Sequence, residues 1–387
     1  MRRILAERGE ELPRCVMGRL LSIIERERDV ISLGPGEPDF RPPERLLERI
    51  DYWLKKGETR YSPPEGREEL REAISRKLKK ENGIDVGPEQ VVVTAGSTEA
   101  ILLALMVLID PGEGVLIPDP SFLTYRPTVE LISGMPLLVP LSFDRDWQFD
   151  VDEAKKAILP EKTNAIIINT PNNPTGTVYS RKTLEEIADF ANEYDLIIIS
   201  DEAYEKFVYG DFRHISPASL NGMEDRVITL HSCSKTLAMP GLRVGWASGP
   251  EKLIKAMVKI HLFSSLSAST PVQLAVAECL EDNSFIQGWV REYGKRRQMV
   301  MEWLDKEGLE YRKPGGAFYL FPRISRFGLS SFDFAKQALE KARVAVVPGT
   351  EFGKRGEGFI RISYATSPEL IEKGLERLSG FLRSLGQ

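Results

Sequence analysis

The feature that most limits how this chain can fold is a set of short apolar runs that do not alternate. VVVTAG (91–96), GVLIPD (114–119), MPLLVPL (135–141), NAIIINT (164–170), LIIISDEAY (196–204) and VITLHS (227–232) follow one another through its middle. Several are apolar on successive residues, as strands buried on both faces are, and that favours a parallel or mostly parallel sheet. Helical patterns lie between the runs, among them STEAILLALMVLI and the amphipathic SRKTLEEIADFANEY. The class is therefore α/β, with a mostly parallel central sheet covered by helices. Both ends read differently. Residues 1–30 are helical and charged, and ISLGPGEPDFRPP is extended. After Asn283 come a long helix (SFIQGWVREYGKRRQMVMEWLDKEG) and mixed elements such as GGAFYLFPRI and FIRISYA. The pattern predicts a large domain over 45–280. A smaller α+β domain is built from both termini, with 281–387 joined by the segment 1–44.

Several function classes fall away. The formal net charge is −5 with both signs interspersed, which leaves no electrostatic footprint for nucleic acid. The three cysteines and three histidines are scattered, so neither a disulfide framework nor a metal site is expected. The longest apolar run, AILLALMVLI (100–109), is about half the length of a membrane span. MRRILAERGEELPR has no apolar region behind its arginines and does not read as a secretory signal, so a cytoplasmic protein is expected.

Four polar groups follow four of the runs. Gly96-Ser97-Thr98 follow VVVTA, Asn173 follows AIIINT, Asp201 follows LIIIS, and Lys235 follows VITLHSCS. In an open parallel sheet, ligands bind at the carboxyl ends of the strands. Each group also has a plain structural reading. Gly-Ser-Thr can be a helix cap, Asn173 a turn residue and Asp201 a local cap. Lys235 can snorkel to solvent, and Arg243 can form a surface pair. Together they match the needs of pyridoxal 5'-phosphate: a lysine for its Schiff base, a carboxylate for its pyridine nitrogen, and an anion site for its phosphate.

The same segments carry a family resemblance. GEPDF (36–40), YSPPEGREELREAI (61–74), TAGSTEA (94–100), PDPSFLTY (118–125), NTPNNPTG (169–176), SDEAYEKF (200–207), SKTLAMPGLRVGW (234–246), GGAFY (315–319) and RISYATS (361–367) occur in series. In order and spacing the chain resembles the class I/II, fold-type-I, pyridoxal-phosphate-dependent aminotransferases, from about Ile31 to the C-terminus. The archaeal-type aspartate and aromatic enzymes are the nearest branch. The resemblance implies that Lys235 holds the cofactor and carries the proton, that Asp201 pairs with the pyridine nitrogen, and that Tyr204 and Asn173 bond the ring hydroxyl oxygen. Phe122 would stack on the ring. Gly96, Ser97, Thr98 and Arg243 would hold the phosphate, with Ser232 or Ser234. Arg361 would clamp the substrate carboxylate beside Gly36 and Asn173, rather than being a sheet-edge surface arginine. Tyr61 would reach the phosphate of a second subunit, which implies a homodimer with shared active sites. Asp119-Pro120 and Asn173-Pro174 are expected to be cis.

The implied activity moves an α-amino group from an L-amino acid (aromatic, aspartate or broad) to a 2-oxo acid, usually 2-oxoglutarate, by a ping-pong mechanism. Branches specific for dicarboxylates carry a lysine where this chain has Thr98, or an arginine in the region of LFSSLSASTPV (262–272), which is without basic residues here. Arg14 or Arg19 could substitute. Phe122, Tyr125 and Phe263 suit an aromatic or broad apolar side chain, or are core. Two rival readings share the scaffold. One is a lyase acting at Cβ or Cγ, such as a C–S lyase. The other is a cofactor-sensing regulator, which the thirty or so residues before ISLGPGEPDF are too few to equip with a DNA-binding module.

Overall fold

A computed structural model describes residues 4–6, 9–10 and 29–385. The N-terminal helix expected over 1–30, together with Arg14 and Arg19, lies largely outside the described residues. Twelve strands follow in chain order: β1 (Ile31–Ser32), β2 (Val91–Thr94), β3 (Gly114–Asp119), β4 (Met135–Pro140), β5 (Thr163–Asn169), β6 (Ile197–Asp201), β7 (Val227–Ser232), β8 (Gly245–Ser248), β9 (Tyr319–Leu320), β10 (Val344–Ala345), β11 (Val347–Pro348) and β12 (Ile360–Ser363). Seven of them form the central sheet in the order β2-β8-β7-β6-β5-β3-β4.

The six apolar runs are the six parallel strands of this sheet. β3, β5 and β6 are buried along almost their whole length, whereas β4 is half-buried at the edge. Two prolines are tolerated in β4 because an edge strand has fewer ladder bonds to lose. The seventh strand, β8, was not anticipated. GWAS has only four residues, begins with glycine and carries no apolar run. It is a strand because it lies antiparallel to both β2 and β7, which satisfy its backbone on each side. Those two reversals cancel, so β2 points the same way as β5, β6 and β7. The ends of all four strands therefore open at one edge.

Helices cover the faces. We label those used below α1 (Ser97–Leu108), α2 (Arg181–Glu193), α3 (Cys233–Thr236), α4 (Ile286–Lys306) and α5 (Pro368–Leu385). α1 contributes Ala100, Ile101, Leu103, Ala104 and Leu105 to an apolar cluster that includes Val115, Ile117, Ile167 and Ile199 of the sheet. α2 starts where the Ser180 hydroxyl accepts the Thr183 N–H at 3.0 Å. It buries Leu184, Ile187, Phe190 and Ala191 on one side. Among the described residues, no helix is long and apolar enough to cross a membrane.

A second apolar cluster joins Ile31 and Leu33 to Tyr293 and Val300 of α4, Phe318–Leu320, Ile360, Ile362 and α5. β1 pairs in parallel with β10, and β12 lies antiparallel between β11 and β9. Ala203, Tyr204 and Phe207, just past β6, belong to this cluster too. The end of β6 is thus gripped by both cores.

Candidate active site

The sheet edge opens into a cavity of about 610 Å³ whose wall includes Ser97, Thr98, Asn173, Asp201, Lys235, Arg243 and Arg361. Lys235 lies on α3, a single turn that begins directly after β7. The Ser232 hydroxyl caps that turn by accepting the Ser234 N–H at 3.2 Å. The Lys235 ammonium donates to the Gly36 carbonyl at 2.6 Å. Burial lowers its pKa to about 8, against the pull of Glu37 and with help from Arg361. An amine in that range is neutral for an appreciable part of the time near pH 7, as a nucleophile or proton carrier must be.

Asp201 is the last residue of β6. Its Oδ2 accepts the Tyr125 hydroxyl at 2.8 Å, and its Oδ1 accepts the Ala203 N–H at 3.1 Å. Burial pushes its carboxyl upward, and those two donors oppose the shift. Among the described residues no basic side chain is salt-bridged to it. A buried carboxylate that faces a cavity and has no salt-bridged cation is an incomplete pair, and a protonated heterocyclic nitrogen would complete it.

The anion site is built from backbone. Gly96 precedes α1 with φ 86°, and no side chain of the described residues caps the helix there. The Ala95 N–H is taken by Glu99 at 2.6 Å, which leaves the first N–H groups of α1 facing the cavity at Ser97 and Thr98. A Cβ on Gly96 would stand 2.5 Å from an Arg243 nitrogen. Among the described residues Arg243 donates to the carbonyls of Ala95 (2.9 Å) and Pro240 (3.0 Å) alone. The alternative of a surface pair is not met: among the described residues no carboxylate is salt-bridged to Arg243. Its guanidinium is held in place by neutral oxygens, and its charge is free for an anion.

Arg361 lies on β12 and is buried, not at a sheet-edge surface. It donates to Asn173 Oδ1 at 2.8 Å and to the Gly34 carbonyl at 2.6 Å. Its guanidinium carbon stands 4.4 Å over the Tyr319 ring and 4.8 Å from that of Phe352. Its Nε has no partner among the described residues, and burial lowers its pKa. A buried guanidinium held by carbonyls and rings, with an orphaned N–H, has the chemistry to receive a carboxylate.

Tyr204 and Asn173 line the same cavity. The Tyr204 hydroxyl meets that of Tyr319 at 2.8 Å, and Asn173 Nδ2 reaches it at 3.5 Å. Phe122 and Gly36 are also at the wall, as are both Ser232 and Ser234. The peptide bonds Asp119-Pro120 and Asn173-Pro174 are cis, and so is Thr170-Pro171.

One expectation needs correction. Phe263 is 88 % exposed and lies outside the cavity, so it forms no part of a side-chain pocket within this protomer. Tyr125 is buried core, one of the two readings open to it, although it also borders the cavity, and its hydroxyl donates to Asp201. Tyr61, at 83 % exposed, also lies outside the cavity. Sequence reasoning gave no site role to Tyr319 or Asn169. Tyr319 closes on Gly36, where a Cβ would lie 2.0 Å from its hydroxyl. Asn169 accepts the Asn173 N–H at 2.8 Å and so fixes the loop. The only available signal was that GGAFY and NTPNNP belonged to the motif series.

Behind the site lies a buried ionic cluster that the sequence did not reveal. Lys77 is 3 % exposed and bonds Glu205 and, at 2.7 Å, Asn82 Oδ1. Glu205 also accepts from Asn82 Nδ2 at 2.7 Å, and Glu202 takes Ser200, Ser216 and His214 at 2.9, 2.5 and 2.7 Å. Ligand atoms of Glu202, Glu205 and His214 lie within 4.8 Å of one another, but these protein partners already occupy the carboxylates.

The chain's likeness to known proteins agrees with this geometry. The sequence profile described as "Aminotransferase class I and II" matches residues 28–378. An aspartate aminotransferase of Pyrococcus abyssi is 46% identical over 94% of this chain and 95% of its own length. An aromatic-amino-acid aminotransferase of Thermococcus litoralis is 44% identical over 98% of both chains. Among solved structures, the aromatic aminotransferase of Pyrococcus horikoshii superposes with TM-score 0.90 at 47% identity, covering 95% of this chain and 100% of that one. The aspartate aminotransferase of Thermus thermophilus with maleate gives TM-score 0.92 at 35% identity, covering 98% and 100%. The incomplete charge pair at Asp201, the poised amine and the open anion cradle are what pyridoxal phosphate requires, and the chain belongs to the class I and II aminotransferases, pyridoxal-phosphate-dependent enzymes that act on amino acids and 2-oxo acids.

Proposed function

We propose that this aminotransferase acts on L-amino acids with aromatic or broad apolar side chains, with 2-oxoglutarate as the usual acceptor. The observation that carries the reading is the supply of cations. The described cavity wall holds three, Lys235, Arg243 and Arg361. The resemblance gives Lys235 to the cofactor aldehyde and Arg243 to its phosphate. Arg361 then serves the α-carboxylate, and no cation is left in the wall for the side-chain carboxylate of a donor. Phe122 and Leu123 offer apolar surface instead. The Thermococcus litoralis and Pyrococcus horikoshii relatives, named as aromatic enzymes, support the same reading. The names of the Pyrococcus abyssi and Thermus thermophilus relatives favour aspartate. In a ping-pong cycle one site serves both substrates. The second carboxylate of 2-oxoglutarate therefore needs a group from elsewhere, such as Arg14, Arg19 or a second subunit.

The residues divide the work by what each touches. Arg361 orients the substrate through its carboxylate, a bidentate contact that fixes Cα. Bound pyridoxal phosphate supplies the electron sink that makes the Cα proton removable. Lys235 takes that proton at Nζ and returns one from the same position, because its flexible stem keeps the amine beside Cα. Asp201 holds a proton on the ring nitrogen by charge. Tyr204 and Asn173 present hydrogen-bonding groups to the ring hydroxyl oxygen. Ser97, Thr98, Arg243 and one of Ser232 and Ser234 fix the phosphate end. Nothing in this arrangement favours the lyase or the regulator over amino-group transfer.

A donor panel with 2-oxoglutarate tests the substrate. We expect kcat/KM for tyrosine and phenylalanine to exceed that for aspartate by about tenfold or more, since a desolvated unpaired carboxylate is penalised. A preference for aspartate would overturn the reading. A homodimer with shared sites is proposed as well, supported by the exposure of Tyr61 and Phe263. Light scattering should give about twice the 43.6 kDa chain mass. A monomer that turns over at full rate would exclude shared sites.

A further inference from the structure

We propose that Tyr125 is the positioning residue of the cofactor's nitrogen partner: its hydroxyl, donated to Asp201 Oδ2 at 2.8 Å, holds the carboxylate in the orientation and charge state that recognise the ring nitrogen. The sequence offered Tyr125 either as lining of a substrate side-chain pocket or as core.

Several observations carry this. Tyr125 is fully buried, at the wall of the cavity that holds Asp201. Asp201 is buried and has two donors, this hydroxyl and the Ala203 N–H. The second comes from Asp201's own loop, so Tyr125 supplies the side-chain tether from another element. Tyr125 opens the helix Tyr125–Leu131, and its N–H bonds the Phe122 carbonyl at 3.1 Å. Its ring meets that of Phe122 edge-on, with centroids 5.6 Å apart and planes at 78°. One short segment thus carries both the ring proposed to stack on the cofactor and the hydroxyl that aligns Asp201. Burial and the nearby carboxylate raise the phenol pKa well above 10, so it remains a donor throughout the working range.

A donor of this kind acts by keeping the carboxylate charged and aimed. Without it, Oδ2 loses its partner in a buried place, and the cost of the charged form rises. The loss should be felt only by a ligand that needs that charge. The inference rests on Asp201 as the ring-nitrogen partner, and the experiment separates the two claims. Full-length apoprotein is titrated with pyridoxal 5'-phosphate and with its 1-deaza analogue, in which a C–H replaces the ring nitrogen.

Tyr125→Phe should weaken binding of pyridoxal phosphate about tenfold, the scale of one charged hydrogen bond, and leave the analogue unchanged. Asp201→Asn should discriminate in the same sense. In the Asp201→Asn background, Tyr125→Phe should add nothing for either ligand. Equal loss for both ligands in Tyr125→Phe would mean a packing role only, and no loss for either would mean no role; both overturn the inference. If Asp201→Asn itself fails to discriminate, the assignment of Asp201 falls first. Phenylalanine keeps the ring and its edge contact with Phe122, and the double variant supplies a readout that a general loss of folding would not mimic.

Discussion

Lys235→Ala will abolish transamination, lowering kcat by about 10⁴-fold or more, because one amine is proposed both to hold the cofactor and to carry the proton at Cα. The amine is already prepared for this. Burial lowers its pKa to about 8, and the Gly36 carbonyl holds it at 2.6 Å. Capture of pyridoxal phosphate by wild-type apoprotein should rise with pH and level off above about 8, since the neutral form is the nucleophile and dominates above the pKa. An ordinary lysine would place that midpoint near 10.5. Single-turnover spectra with an amino donor read the first expectation, and borohydride trapping of a lysine adduct across pH reads the second. Turnover within tenfold of wild type in Lys235→Ala, or a trapped adduct in that variant, would remove Lys235 from its proposed role.

The largest stability effect should come from Lys77→Met, at about 3–5 kcal/mol, because it takes the nearest cation from a buried carboxylate. Glu205 is otherwise pushed up by burial, and Lys77 and His231 hold it well below the ordinary glutamate range. The melting temperature should fall by on the order of 10 °C. Adding Glu205→Gln should recover much of the loss, since the stranded charge disappears. The sign with pH follows from the direction of the shift. Glu205 has a depressed folded pKa, so its contribution is fully present above the unfolded value of 4.5 and is lost as pH falls through the lower folded value. The gap between wild type and Lys77→Met should therefore narrow in acid. A melting temperature within 2 °C of wild type at neutral pH would show that the cluster contributes little.

This cluster shows where sequence reading stops. In sequence, Lys77 is one of several charges in EELREAISRK, which reads as an amphipathic surface helix. Its burial depends on Glu205, 128 positions on, and no local pattern encodes that distance. The strand β8 was hidden for the same reason. Four residues beginning with glycine carry no periodic signal, and only two partners at the right separation make them a strand. Tyr125 is the subtler case. Its aromatic character was visible, but whether its hydroxyl faced a substrate or a carboxylate depended on how the loop after β3 turns toward the end of β6.

By itself, the sequence determined the class of fold, the strands buried on both faces and the polar groups that end them. Burial on two faces demands successive apolar residues, and binding at strand ends demands polar residues just beyond; both are local requirements. The motif series was enough to indicate the family. The tertiary structure decided which charges lack partners. Asp201 and Arg361 are a carboxylate and a guanidinium like any others in the sequence. They become incomplete pairs only when folding removes water and offers neutral oxygens, hydroxyls and rings in place of a counter-charge. The cost of a buried charge depends on everything around it, so its need for a ligand appears only once the chain has closed around it.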